Sequence, residues 1–107
     1  MSYWVMARTG VGAKMQIEGY DGEVSAYISN DYLGMSQRPE TKEAGINAVL
    51  KYGTGASAAQ AIGGYLDIHK QLEEGIAKFV GQEDAILFSS GFGANAGLLR
   101  AILGKMT

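Results

Sequence analysis

Residues 85–95 read AILFSSGFGAN: four apolar residues, two serines and a Gly-Phe-Gly turn, followed by a second apolar run at 96–103. A short, continuously apolar run suits a strand covered on both faces, so residues 85–88 are expected to form a buried strand. A helix is expected over residues 94–103, apolar around most of its circumference apart from Arg100. Strand, glycine turn and helix in that order make one piece of an α/β fold. Such a turn sets consecutive backbone N–H groups at the positive end of a helix dipole, where phosphate is a natural guest. Gly91 lets the backbone approach closely, Ser89 and Ser90 can add hydroxyl donors, and Phe92 can wall one side. The same residues also make an ordinary serine cap and glycine turn, so the stretch alone leaves both readings open. It is neither a P-loop, which ends in Gly-Lys-Ser/Thr, nor a Gly-x-Gly-x-x-Gly dinucleotide turn, because Gly93 is followed by Ala94, Asn95 and Ala96. A phosphorylated cofactor other than a nucleotide fits better.

Upstream, Leu72, Ile76, Phe79 and Val80 recur at helical spacing, with Asp67 as the expected cap and Gly81 as the expected stop. His69 lies on the same stripe, where a hydrogen-bonded structural role is favoured over catalysis. Residues 53–64, GTGASAAQAIGG, are nearly all small and read as a loop that passes close to something. Pro39 opens a helix expected to reach Tyr52, with Ile46, Val49 and Leu50 as its apolar stripe and Lys42, Glu43 and Lys51 facing water. Residues 15–17 and 24–28 alternate around Asp21-Gly22 and read as a hairpin. Residues 30–34, NDYLG, leave it as a polar loop.

A lone central strand at 85–88 would leave backbone donors and acceptors unpaired, at about 1 to 3 kcal/mol for each buried group. The sequence therefore reads as the front part of something larger, with a hairpin-bearing segment at 1–34 and the start of a larger domain at 35–107. Nine basic and eleven acidic residues, with neither sign clustered, favour neither nucleic acid nor an anionic membrane as partner. With no cysteine and a single histidine, disulfides, thiolate metal sites and histidine clusters are excluded. Residues 1–5 are too short for a signal-peptide core, and no stretch approaches a membrane span, so the expected location is cytoplasmic. The 16 glycines are about twice the ordinary usage of roughly 7 %, an excess that calls for local reasons.

Four motifs in order, NDYLG at 30–34, YGTGA at 52–56, LDIHKQLEE at 66–74 and FVGQEDAILFSSGFGAN at 79–95, resemble the α-oxoamine synthase family. These are fold type I enzymes dependent on pyridoxal 5'-phosphate, and the resemblance runs over residues 15 to 105. It implies that the chain is the N-terminal portion of an enzyme that condenses glycine or serine with an acyl-CoA. The products are an amino ketone, CoA and usually carbon dioxide. By the same resemblance Gly91 and Phe92 hold the cofactor phosphate through their amides, with Ser90 beside them, and Asn30 contacts the amino-acid carboxylate. On the residues alone, Asn30 reads rather as the closing residue of a turn. Thr54 lies in the small-residue loop that matches a segment crossing a homodimer interface near the acyl-CoA.

Ala59-Gln60 departs from the Ser-Arg or Thr-Arg pair common at that place and removes a candidate partner for a negative group. The six lysines, Lys14, Lys42, Lys51, Lys70, Lys78 and Lys105, match none of the positions from which the family binds its cofactor covalently. No catalytic residue is therefore expected in this chain, which alone is expected to be inactive. The alternative is a truncated remnant that binds anions or dimerises without catalysis.

Overall fold

The computed structural model describes residues 4–104; Lys105 and the first three residues of the opening stretch lie outside them. These residues form two compact units, one ending at Gly55 and the other starting at Ala56.

The first unit holds an antiparallel pair, β1 (Lys14–Met15) and β2 (Val24–Ser25), in the register Lys14↔Ser25 and Met15↔Val24. The hairpin expected from the Asp-Gly signal is present but much shorter than the alternation suggests. Residues 16–23 form a wide connection, with Tyr20 N donating to Ile17 O at 3.2 Å and with Gly19 and Gly22 at φ 84 and 83. Ile17 bridges instead to Ala7, flanked by bonds from Arg8 N to Gln16 O and from Glu18 N to Met6 O. A tight turn would have zipped the strands from Gly22 outward; here the upstream segment competes for the same backbone groups. Met15 is 2 % exposed and is the buried apolar side chain of this unit among the described residues.

A 3-10 turn at Met35–Gln37 follows, and α1 occupies Pro39–Tyr52 as expected. Pro39 suits the first turn because its missing N–H has no intrahelical acceptor there. Gly53, at φ 81, ends the helix by donating to Val49 O at 2.8 Å.

In the second unit, α2 (Asp67–Val80) stops at Gly81, whose φ of 70 is the left-handed conformation that glycine adopts without a Cβ penalty. Gln82 N donates back to Ala77 O at 2.9 Å and closes the helix end. Asp67 is not the cap: it is the first helical residue, and Leu66 occupies the cap position. The ring of His69, at the third helical position, accepts instead from the N–H of the cap residue Leu66. α3 spans Gly91–Leu103 and starts three residues earlier than the expected Ala94.

The expected strand at 85–88 is not formed. Among the described residues the sheet has two strands, β1 and β2, so the fold is helices with a small hairpin and only part of an α/β arrangement. The reason is pairing: a strand needs a neighbour, and two donors of this segment are satisfied by carboxylates instead. Leu87 N donates to Glu73 Oε1 at 2.7 Å and Ala85 N to Asp84 Oδ1 at 2.8 Å.

The apolar stripes of all three helices are present, and all are exposed. Ile46, Val49 and Leu50 on α1, Leu72, Ile76, Phe79 and Val80 on α2, and Leu98, Leu99, Ile102 and Leu103 on α3 face solvent. Full burial of each would contribute about 1.5 to 3 kcal/mol, so much of the stabilisation that the sequence encodes is unused in these two units.

Candidate functional site

The start of α3 is built by Ser90. Its backbone is extended, φ −161 and ψ 158, its Oγ accepts from Gly93 N at 3.0 Å, and its carbonyl accepts from Ala94 N at 2.9 Å. These two bonds satisfy the third and fourth amides of the helix. The first two, on Gly91 and Phe92, have no intrahelical acceptor and emerge at the positive end of the dipole. Among the described residues no backbone acceptor outside the helix reaches them.

A Cβ placed on Gly91 would meet nothing within 4 Å, and the residue is not in the left-handed region. No contact in the chain demands glycine there; what a side chain would occupy is the open space beside the two amides. The Phe92 side chain is 85 % exposed. Ser90 Oγ spends a lone pair on Gly93 and keeps its own proton to donate. Two amides, a hydroxyl and the helix dipole, all open to approach, suit a phosphate group.

Phe88 ties this turn to the helix. A Cβ on Gly97 would lie 2.7 Å from the Phe88 ring, so the aromatic side chain packs directly on the α3 backbone. The concavity beside it, ≈ 460 Å³, is apolar and bounded by Ile86, Phe88, Leu98 and Ala101.

Glu73 was not singled out by sequence reasoning, yet it organises the approach to the turn. Its Oε1 accepts from Leu87 N, and its Oε2 accepts from the Tyr65 hydroxyl. The hydrogen bond from Tyr65, followed by that from Leu87 N, holds the Glu73 carboxyl below its usual range. The same bond to Glu73 pushes the Tyr65 phenol up to about 12. The Tyr65 ring stacks on His69, centroids 5.9 Å apart, and His69 Nδ1 accepts from Leu66 N at 2.9 Å. His69 is thus a helix-capping residue, the structural role its position suggested. The signal for Glu73 was faint in sequence: a carboxylate one helical turn beyond His69, with its partners eight residues before and fourteen after it.

Asn30 and Thr54 belong to the first unit, and Ser90, Gly91 and Phe92 to the second. Asn30 is exposed at the head of a loop ordered by its neighbour Asp31. The Asp31 carboxylate accepts from Ser36 Oγ at 2.6 Å and from Ser36 N at 3.2 Å, while Asp31 N donates to Ser29 Oγ at 2.9 Å. The bonds from Ser36, its hydroxyl first and then its backbone N–H, hold the Asp31 carboxyl below its usual range. Asp31 and Tyr32 also border an open cleft of ≈ 500 Å³ together with Tyr27 and Gly34. Thr54 is exposed just beyond Gly53, in the loop after α1.

The small-residue loop passes close to itself. Gly64 N donates to Ala59 O at 2.9 Å, and a Cβ on Gly64 would lie 1.9 Å from Ala58 O. Among the described residues no group of three or more His, Cys, Asp or Glu side chains could hold a metal ion, and no helix is long and apolar enough to cross a membrane.

The Aminotransferase class I and II family profile matches residues 28–107. The chain is 43 % identical over 94 residues to 8-amino-7-oxononanoate synthase of Saccharophagus degradans, covering 88 % of this chain and 24 % of that protein. It is 42 % identical over 92 residues to the mitochondrial 2-amino-3-ketobutyrate coenzyme A ligase of Homo sapiens, covering 86 % and 22 %. To serine palmitoyltransferase of Bacteriovorax stolpii it is 50 % identical over 76 residues, covering 71 % and 18 %. The chain thus spans about a quarter or less of the length of these relatives. These relatives are members of the family that the four motifs resemble. With the profile covering most of its length, from the loop before α1 through α3, this chain belongs to the class I and II aminotransferase family.

Proposed function

We propose that this chain provides the phosphate cradle and an amino-acid contact of a pyridoxal-phosphate-dependent α-oxoamine synthase. The observation that carries the reading is the pair of open amides on Gly91 and Phe92 at the head of α3, beside a glycine whose Cβ space is empty. Gly91 N and Phe92 N donate to phosphate oxygens, the Ser90 hydroxyl adds a third donor, and the helix dipole favours the dianion. When bound, pyridoxal 5'-phosphate supplies the electron sink that stabilises negative charge at the amino-acid Cα. The Asn30 side-chain amide donates to the substrate carboxylate and orients it, and Thr54 lies on the acyl-CoA side. Glycine or serine is the proposed amino acid, an acyl-CoA the second substrate, and a homodimer the working assembly.

By itself the 107-residue chain binds without turning over, since none of its lysines matches the family's cofactor lysine. A second reading, an anion-binding or dimerising module without catalysis, draws on the exposed apolar stripes of the three helices.

Calorimetry with pyridoxamine 5'-phosphate, which lacks the aldehyde that reacts with any lysine, tests the first reading. Binding that disappears with unphosphorylated pyridoxamine is the expected result; equal binding of the two overturns it. Release of free CoA from glycine and an acyl-CoA by the purified chain would overturn the assignment of no turnover.

A further inference from the structure

We infer that Glu73 is a positioning residue for the anion-binding turn, holding its incoming backbone through Leu87 N and being held in turn by the Tyr65 hydroxyl. This rests on the phosphate reading of Gly91 and Phe92. The segment between Gly81 and Ser89 has no strand partner among the described residues, so its path depends on individual bonds. Leu87 N to Glu73 Oε1, at 2.7 Å, joins it to the middle of α2 across fourteen residues of sequence. Leu87 stands four residues before Gly91, with only Phe88, Ser89 and the capping Ser90 between them. Phe88 is already wedged against Gly97, so the turn is fixed from both sides, by Glu73 ahead of it and by α3 behind it.

The other end of the carboxylate is equally committed. Tyr65 donates to Oε2, and its ring is stacked on His69, which caps α2 through Leu66 N. Glu73 therefore sits in a chain of contacts that runs from the start of α2 to the entry of the turn. Its oxygens are fixed by two donors, and the bond to Leu87 loses little further side-chain freedom. A displacement of the entry by about 1 Å would move two amides whose value to phosphate depends on their convergence.

Charge alone predicts the opposite result from positioning. A carboxylate repels an anion, so neutralising Glu73 strengthens phosphate binding if only Coulomb's law acts. Loss of the Leu87 bond weakens it if Glu73 positions the turn. Glu73→Ala removes the acceptor; Glu73→Gln keeps an amide oxygen for Leu87 N and an NH₂ group that Tyr65 can accept from.

The test is titration of the full chain with inorganic phosphate, read at the Gly91 amide by NMR, with hydrogen exchange at Leu87 recorded in parallel. In Glu73→Ala, Leu87 loses protection and phosphate affinity falls about tenfold, whereas Glu73→Gln retains both. Phosphate binding by Glu73→Ala equal to or tighter than that of the parent overturns the inference. So does a Glu73→Gln chain that protects Leu87 yet binds as weakly as Glu73→Ala. A parent chain whose Gly91 amide does not respond to phosphate overturns the phosphate reading itself, and Leu87 protection still reports separately whether Glu73 holds the backbone.

Discussion

Gly64 lies so close to Ala58 that a Cβ on it would stand 1.9 Å from the Ala58 carbonyl oxygen. The contact is backbone to backbone, so no side-chain rotation relieves it. Gly64 is buried, and its N–H donates to Ala59 O at 2.9 Å, which folds residues 58–64 into a closed turn around the 3-10 segment Gln60–Ile62. Gly64→Ala is expected to open this turn at a cost of about 1 to 3 kcal/mol. Urea titration measures the loss, and exchange at the Gly64 amide locates it; an unchanged midpoint would mean the loop rearranges freely.

Ser90 caps α3 and also stands in the proposed anion site, and two substitutions separate these roles. Ser90→Ala removes the acceptor for Gly93 N and is expected to destabilise the start of α3 by about 1 kcal/mol. Ser90→Asp restores a good cap while setting a negative charge beside the two open amides. It should keep α3 protected from exchange and abolish phosphate binding. If Ser90→Asp binds phosphate like the parent, the anion lies elsewhere.

The Tyr65–Glu73 pair sets a pH window with two edges. Glu73 has a folded pKa below its ordinary value, so its contribution is present above the ordinary carboxylate range and is lost as pH falls through the lowered value. Tyr65 titrates at about 12 in the folded chain against about 10 unfolded. Its contribution is complete below pH 10 and is lost as pH rises toward 12. Protection of the Leu87 amide should be flat across neutral pH and fall at both extremes. A decline near pH 6 or 7 would place its control in another group.

The exposed stripes predict association. Phe79 is 87 % exposed at the end of α2 and is none of the binding residues proposed above. Sedimentation of the isolated chain should show oligomers, because contiguous apolar patches are rarely left open on monomers. Phe79→Glu should shift the distribution toward smaller species without lowering stability. A compact monomer in the parent chain would contradict the expectation.

Local signals in the sequence found the elements whose causes are local. Pro39 and Gly53 bound α1, and the left-handed Gly81 ends α2, because a ring-locked φ and a missing Cβ act within a few residues. Contacts between distant residues escaped that reading. Asp67 looked like a cap, but it is the first helical residue, and the N–H of the cap residue Leu66 donates to the His69 ring. The apolar run 85–88 looked like a strand, but its composition reports burial preference and not the presence of a neighbour. Glu73 supplies what a neighbouring strand would have supplied at Leu87. Ser90 was recognisable as a cap or a donor from its place before Gly91. That it begins the helix three residues early, leaving two amides open, follows from its bonds to Gly93 and Ala94.

The most direct measurement is the change in the amide resonances of Gly91 and Phe92 when the full chain is titrated with pyridoxamine 5'-phosphate. If these two N–H groups hold the phosphate, both move strongly downfield and saturate together, and unphosphorylated pyridoxamine leaves them in place. Binding that shifts other residues and leaves Gly91 and Phe92 unmoved would contradict the assignment of the head of α3 as the phosphate site.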